Sequence, residues 1–342
     1  MAGIFIAAFL TISIGAALVV IAFSQYKKTL REAKNYERGL KMVPLFIHLP
    51  PASEDIEKGA RDERDLTEEV LSEAQVMYNI IASTATKGFK NKIYGQRHIS
   101  FEIIAKGGLV HYYAVVPMVL VEVIKQAIAA AYPSARLEEV SEHNIFSEAG
   151  KMSGVIGGEF ALKKKFVYPI ATYQDTKRDA ARALLNALSA ASRDDGVALQ
   201  FLIRPAYEGW VRASIDAAKK IKDDKLKGKG AGLGVGSAKG MAELLWKPPE
   251  AGDEKKPEEK PLTSLEEETI KAIEEKTRYP GYEVLVRVVV SSNTTEHSQS
   301  LLKNIVAAFA LFDSASYNGF KFSPARDIEE LVTAFIFRFF PQ

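Results

Sequence analysis

The run that opens the chain, MAGIFIAAFLTISIGAALVVIAFSQYKK, limits how it can fold more than any other stretch. No charged side chain occurs before Lys27. As a helix, Ile4 to Phe23 would be about 30 Å long at roughly 1.5 Å per residue, the thickness of a bilayer's hydrocarbon core. Inside lipid a helix satisfies its own backbone hydrogen bonds. A cleaved signal peptide asks for a charged start, a shorter apolar core and a small-x-small cleavage site. The run has a long core with no charge ahead of it, so residues 1–26 read as an uncleaved transmembrane anchor. Residues 27–42 hold six basic residues, Lys27, Lys28, Arg31, Lys34, Arg38 and Lys41, against Glu32 and Glu37. They read as a juxtamembrane basic helix. The positive-inside rule then places the N-terminus outside and the bulk of the single-pass chain in the cytoplasm. The absence of cysteine fits a reducing compartment.

Beyond residue 42 an order of elements repeats. VPLFIHL (43–49) is a strand candidate. After an acidic stretch, Val70, Leu71, Ala74, Met77, Tyr78 and Ile81 recur at helical spacing. ISFEIIA (99–105) and LVHYYAVVP (109–117) are strands joined across Lys106-Gly107-Gly108, a hairpin signal. A helix from Leu120 to Ala131 stops at Tyr132-Pro133, and residues 135–141 close as a strand. The order is βαββαβ, the ferredoxin-like split unit. It recurs as a strand at 159–166, a helix capped by Asp175, strands at 197–205 and 282–292, a helix over 301–312 and a strand at 318–324. The predicted class is therefore α+β: a transmembrane helix, then two tandem ferredoxin-like units over 43–150 and 151–342. The second unit carries a flexible insertion at about 222–262 and a C-terminal helix over 327–340, capped by Asp327. Phe337 and Phe340 lie off the buried stripe of that helix and suit docking to a partner.

The sequence offers little chemistry. GKGAGLGVGSAKG (228–240) holds six glycines, but Gly228-Lys229 is followed by glycine where a P-loop needs Ser or Thr. No strand leads into it, so it reads as a linker, continued by the Pro- and charge-rich segment 247–261. The five histidines show no His-x-x-x-His spacing, and no G-x-S-x-G elbow occurs. The carboxylate pairs Glu138-Glu139 and Glu329-Glu330 read as solvated. No catalytic residue, cofactor or metal site is expected, and the chain reads as a non-enzyme. His111 and Tyr113 share one face of a central strand, where related folds stack bases; GGLVHYYAVV lacks the usual basic-Gly-aromatic motif, so core or inter-unit packing is the expected role and base stacking the alternative. Lys163, Lys164 and Lys165 are expected on a solvated edge strand, within reach of phosphates.

Several stretches carry a resemblance. ISFEIIAKGGLVHYYAVVP, AAYPSARLEEVSEHNIF, YPIATYQDTKRDAARALLNALS, KTRYPGYEVLVRVVVSSNTTEHSQSLLKNIVAAFALFD and FKFSPARDIEELVTAFIFRFFPQ resemble the region before the motor in bacterial membrane-anchored type IV secretion and conjugative DNA-transfer coupling proteins. The resemblance spans residues 43–342 apart from the linker, and no catalytic residue carries over with it. It implies a bacterial inner-membrane location and a cytoplasmic scaffold that works with other secretion subunits or with a P-loop motor ATPase, carried by another chain or by a portion absent from this sequence. The implied partners are bilayer lipids, those subunits and further copies of the chain. The alternative expectation is a nucleic-acid-binding module that uses the sheet faces and the Lys-rich loop.

Overall fold

The computed structural model describes residues 2–49, 63–141, 145–146, 154–172, 180–226, 262–314 and 316–341. In chain order the elements are α1 (Ala2–Gly39), β1 (Met42–His48), α2 (Glu63–Ser83), α3 (Phe89–Tyr94), β2 (Ile99–Lys106), β3 (Leu109–Pro117), α4 (Val121–Ala131) and β4 (Arg136–Glu139). There follow β5 (Ile156–Leu162), α5 (Ala180–Ser189), β6 (Gly196–Pro205), α6 (Gly209–Leu226), α7 (Ser264–Lys276), β7 (Tyr282–Ser291), α8 (Thr295–Phe309), β8 (Phe320–Pro324) and α9 (Ile328–Ile336). The expected cap Asp175 and the glycine run 228–240 lie outside the described residues.

All eight strands form one sheet in the order β4-β1-β3-β2-β6-β7-β5-β8, with antiparallel neighbours throughout. Gly107 and Gly108 turn β2 into β3 with φ of 64° and 79°. A two-residue hairpin needs this left-handed backbone, which glycine adopts without a side-chain clash. β6 and β7 pair in the same way, from Pro205↔Tyr282 to Gly196↔Ser291, but the long insertion bearing α6 and α7 replaces the tight turn. The halves meet at β2 and β6, from Ile99↔Ile203 to Lys106↔Gly196.

Two expectations are corrected here. The chain does not form two separate sheets, because β2 and β6 join them into one. And among the described residues no helix is long and apolar enough to cross a membrane, which overturns the transmembrane anchor, the inner-membrane location and the orientation drawn from it. The basic residues that follow do not form a separate juxtamembrane segment either. α1 continues unbroken to Gly39. Arg31 Nε donates to the Ile93 carbonyl at 2.5 Å, and Arg38 donates to the carbonyls of Tyr94, Gly95 and Gln96. These are the free carbonyls at the C-terminal end of α3, where a cation is favoured by the helix dipole.

Strand alternation assigns the two sheet faces. On one face α2 and α4 cover the first half. Met77 and Ile81 of α2, with Val121, Ile124, Ala127, Ile128 and Ala131 of α4, pack on Leu45, Ile99, Ala114, Val116 and Ile203. The α4 spacing is that of a single apolar stripe. α5 and α8 cover the same face of the second half, with Leu184, Leu188, Leu301, Ile305 and Phe309 set on Val197, Leu199, Val286, Val288 and Val290.

The opposite face is covered by α9. Asp327 caps it by accepting from the Glu330 N–H at 3.0 Å. Leu331, Val332 and Phe335 settle on Ile104, Ala198 and Val289. The helix was expected to reach residue 340 but ends at Ile336, and Arg338 takes a left-handed φ of 50°. The chain then hooks back along the sheet. Asn35 donates to the Phe340 carbonyl at 2.7 Å, and Tyr36 stacks on Phe339 with centroids 5.0 Å apart. At Gly39 a Cβ would strike the Phe337 carbonyl, so the end of α1 rests directly on the hook.

Candidate functional site

The opposite face carries a buried polar chain beneath α9. Arg287 is 1% exposed and uses all five of its donors. Nε and Nη2 donate to Glu159 Oε1 at 3.1 and 2.8 Å, and Nη1 donates to Gln200 Oε1 at 2.8 Å and to the Ala334 carbonyl at 3.0 Å. The second Nη2 bond goes to the Phe339 carbonyl at 3.0 Å. Gln200 donates to Glu102 at 3.0 Å, and Arg338 Nε donates to the same Glu102 oxygen at 3.0 Å. Desolvation by burial pulls the Arg287 pKa down, and Glu159 and Glu102 oppose it. Nearby, burial, then the charges of Arg204, Arg38 and Arg287, pull the His98 pKa down to about 3, and neither ring nitrogen has a hydrogen-bond partner among the described residues. The groups in this chain are spent on each other and on the carbonyls of α9 and the hook. They fix the C-terminal segment on the sheet, with Glu159 reaching toward solvent at 38% side-chain exposure.

The open site lies on the helical face of the second half. α5 and α8 cover only one end of that face. Over the other end the insertion helices α6 and α7 stand off the sheet and enclose a groove of about 1070 Å³. Phe160, Phe201 and Val286 form its floor, Trp210 and Tyr207 belong to the α6 wall, and Tyr279, Gly281 and Tyr282 close one end. Phe166 and Tyr168 form the far rim. Several of these side chains face solvent: Tyr207 is 65% exposed, Tyr279 51% and Phe166 50%.

Local features place each wall. A capping box starts α7, with Thr263 Oγ1 accepting from the Glu266 N–H and Glu266 accepting from the Thr263 N–H at 2.9 Å. Ile270 and Ile273 of α7 pack on Ala218 of α6, which ties the two arms together. Gly281 admits the indole of Trp210; a Cβ there would collide with the ring. Lys276 donates to the Phe166 carbonyl at 2.5 Å, and its Nζ lies 5.9 Å from the Trp210 centroid. Burial lowers its pKa, so the groove holds a poorly hydrated amine among aromatic rings. Burial also raises the pKa of Tyr282, whose hydroxyl donates to the Tyr78 carbonyl and closes the groove toward the first half.

The residues singled out from the sequence fall in three separate places. His111 and Tyr113 lie on β3 on the opposite sheet face, half-buried and grouped with Phe46. Lys163, Lys164 and Lys165 are not on an edge strand. β5 ends at Leu162 and lies between β7 and β8, and the three lysines form the bend after it. Lys163 pairs with Asp313, the Lys164 N–H donates to Asn318 Oδ1 at 2.8 Å, and Lys164 Nζ donates to the Tyr317 carbonyl at 2.7 Å. Those bonds turn the chain out of the strand. Phe340 is buried against the Arg204 guanidinium, 4.1 Å from its centroid, and Phe337 meets Tyr36 edge-on. Both serve the intramolecular hook, which corrects the expectation of a docking end. Among the described residues no group of three His, Asp or Glu is placed to hold a metal ion.

The groove residues escaped the sequence reading because they belong to four segments far apart in the chain, within 160–172, 201–210, 272–286 and 317–320. The one local signal was Tyr279-Pro280-Gly281-Tyr282, a rigid turn with aromatic flanks just ahead of a strand.

Comparison with known proteins gives one positive finding. The family model described as Domain of unknown function (DUF8128) matches residues 62–338, a span that includes every wall of the groove. No curated protein matches the chain. Neither finding connects it with type IV secretion or conjugation, so those expectations are withdrawn.

Proposed function

We propose that this chain, which belongs to the family Domain of unknown function (DUF8128), is a non-catalytic binding module. Its groove takes an apolar, aromatic-bearing segment of a partner protein. The observation that carries this reading is the wall of solvent-facing rings, Tyr207, Tyr279 and Phe166, around an open apolar floor. Exposed rings gathered in one concavity are unusual away from interaction sites. Tyr and Trp are enriched where proteins bind each other, because they bury large areas and lose little rotamer freedom. At about 1070 Å³ the groove is at the upper end of the roughly 300–1,000 Å³ of small-ligand pockets, with room for several side chains of a peptide. Lys276, with its amine beside the floor, suits a backbone carbonyl or a carboxylate on the guest.

A photo-crosslinking residue placed at Tyr207 tests this in cells that express the full chain. The expected result is one discrete protein adduct, lost when Val284→Phe fills the groove and retained when a control residue on α8 is changed. A crosslinker at Tyr207 that yields no discrete adduct, or an adduct indifferent to Val284→Phe, would refute the reading.

A further inference from the structure

The helices that wall the groove, α6 and α7, are joined by residues 227–263 of the same chain. That connection is rich in glycine and charge, with one longer apolar run, Met241-Ala242-Glu243-Leu244-Leu245-Trp246. Trp246 is its only aromatic residue, and Pro248-Pro249 follows closely. The run has the chemistry the groove asks of a guest. Phe160, Phe201 and Val286 give an apolar floor, and Tyr207, Tyr279 and Phe166 give rings that face solvent. Lys276 spends one donor on the Phe166 carbonyl, and its amine has two more for Glu243, the one carboxylate of the run.

Reach decides whether the run can return to the groove. Trp210, on the α6 wall, lies about 24 Å along the helix from Leu226, at roughly 1.5 Å per residue. Lys276, on the α7 wall, lies about 18 Å from Ser264 by the same measure. A glycine-rich linker as long as residues 227–240 spans about 20 Å root-mean-square. Residues 247–263 are no shorter and hold four prolines, which extend a linker further. Both tethers therefore match the distances they must cover. Effective concentration is greatest under that condition, and for short linkers it is of millimolar order.

We propose that residues 241–246 occupy the groove of their own chain, with Trp246 among the rings, and that a partner's segment binds by displacing them. The inference rests on the groove's proposed binding role and adds its regulation. At about 1 mM effective concentration, an isolated affinity of only about 0.1 mM fills the groove in about nine chains of ten. A segment from another chain then binds about tenfold more weakly than it would to an empty groove. A second copy or a foreign segment lacks the tether, so the chain's own run is the favoured occupant until a tighter guest arrives.

The test is fluorescence anisotropy of a fluorescein-labelled peptide of residues 240–250. It is titrated with the full parent chain and with the full chain carrying Leu244→Ser, Leu245→Ser and Trp246→Ser. The triple variant should bind the peptide at one site, and the parent should bind it about tenfold more weakly. Adding Val284→Phe to the triple variant should abolish binding. In the full chain with Trp210→Phe, Trp246 is the sole indole. Its emission should lie to the blue of the free peptide's, and Val284→Phe should return it to the red. If Trp210→Phe fails to fold by circular dichroism, the anisotropy series decides. Affinities of parent and triple variant within about twofold, no peptide binding to the triple variant, or Trp246 emission equal to the free peptide's would overturn the inference. In that case saturation of the groove by 1-anilinonaphthalene-8-sulfonate, lost in Val284→Phe, would leave the groove's binding role standing, whereas failure of the dye as well would remove both.

Discussion

His98 should make the fold acid-sensitive. The imidazole is 2% exposed, lies 5.7 Å from the Phe340 ring and sits among Arg204, Arg38 and Arg287. Its folded pKa is about 3, against an ordinary histidine value of about 6.5. The folded state therefore refuses a proton that the unfolded state accepts. This stabilisation is complete above pH 6.5 and is lost as pH falls toward 3, at up to about 1.4 kcal/mol per pH unit. Between pH 7 and pH 5 the loss from this residue is about 2 kcal/mol. Urea denaturation of the parent and of His98→Leu, each at both pH values, isolates the effect. The gap between the two proteins should shift by about 2 kcal/mol in favour of His98→Leu on going to pH 5. The His98 ring should also show no titration in nuclear magnetic resonance spectra above pH 5. An unchanged gap, or a ring that titrates near 6.5, would refute the argument that the hook, the sheet and α1 seal this side chain from water.

Three further outcomes follow from named contacts. Arg287→Met strips the α9 and hook carbonyls of their donor and should lower stability by about 3–5 kcal/mol in urea denaturation; a loss under 1 kcal/mol would count against the buried chain as what holds α9. Asp327→Ala removes the cap of α9 and should lower stability by about 1 kcal/mol, with no change in the groove. Gly281→Ala, in a Trp246→Phe background, should expel the Trp210 indole and shift its emission to the red, while an unchanged spectrum would show that the ring does not rest on that backbone.

Local patterns in the sequence were good guides to the elements. The spacing of Val121, Ile124, Ala127 and Ile128 marks α4 because one face of a helix must bury itself, and Gly107-Gly108 marks the hairpin because few other residues tolerate that turn. What pairs with what was less legible. The join of β2 to β6 depends on two edge strands that each carry apolar residues on both faces, a property of the assembled sheet. The lysines at 163–165 read as strand because the partners that turn the chain there, the Asn318 side chain and the Tyr317 carbonyl bonded by Lys164, lie about 150 residues away. Phe337 and Phe340 looked exposed because a helical projection cannot anticipate the left-handed turn at Arg338 or the guanidinium of Arg204 beneath it. The opening apolar run illustrates the limit of hydropathy. It gives the helix, α1, but not what Arg31 and Arg38 bind at its far end. The groove was least legible of all, since its floor and walls converge only when the insertion helices fold back over β7.

The proposed binding role requires that groove to be an open, apolar site. Its most direct measurement is titration of the full-length Trp246→Phe chain with 1-anilinonaphthalene-8-sulfonate, read by dye emission and by quenching of Trp210. One saturable site per chain with Trp210 quenching is expected, and loss of both signals in Val284→Phe. Failure of the dye to saturate, or equal binding and quenching in Val284→Phe, would contradict it.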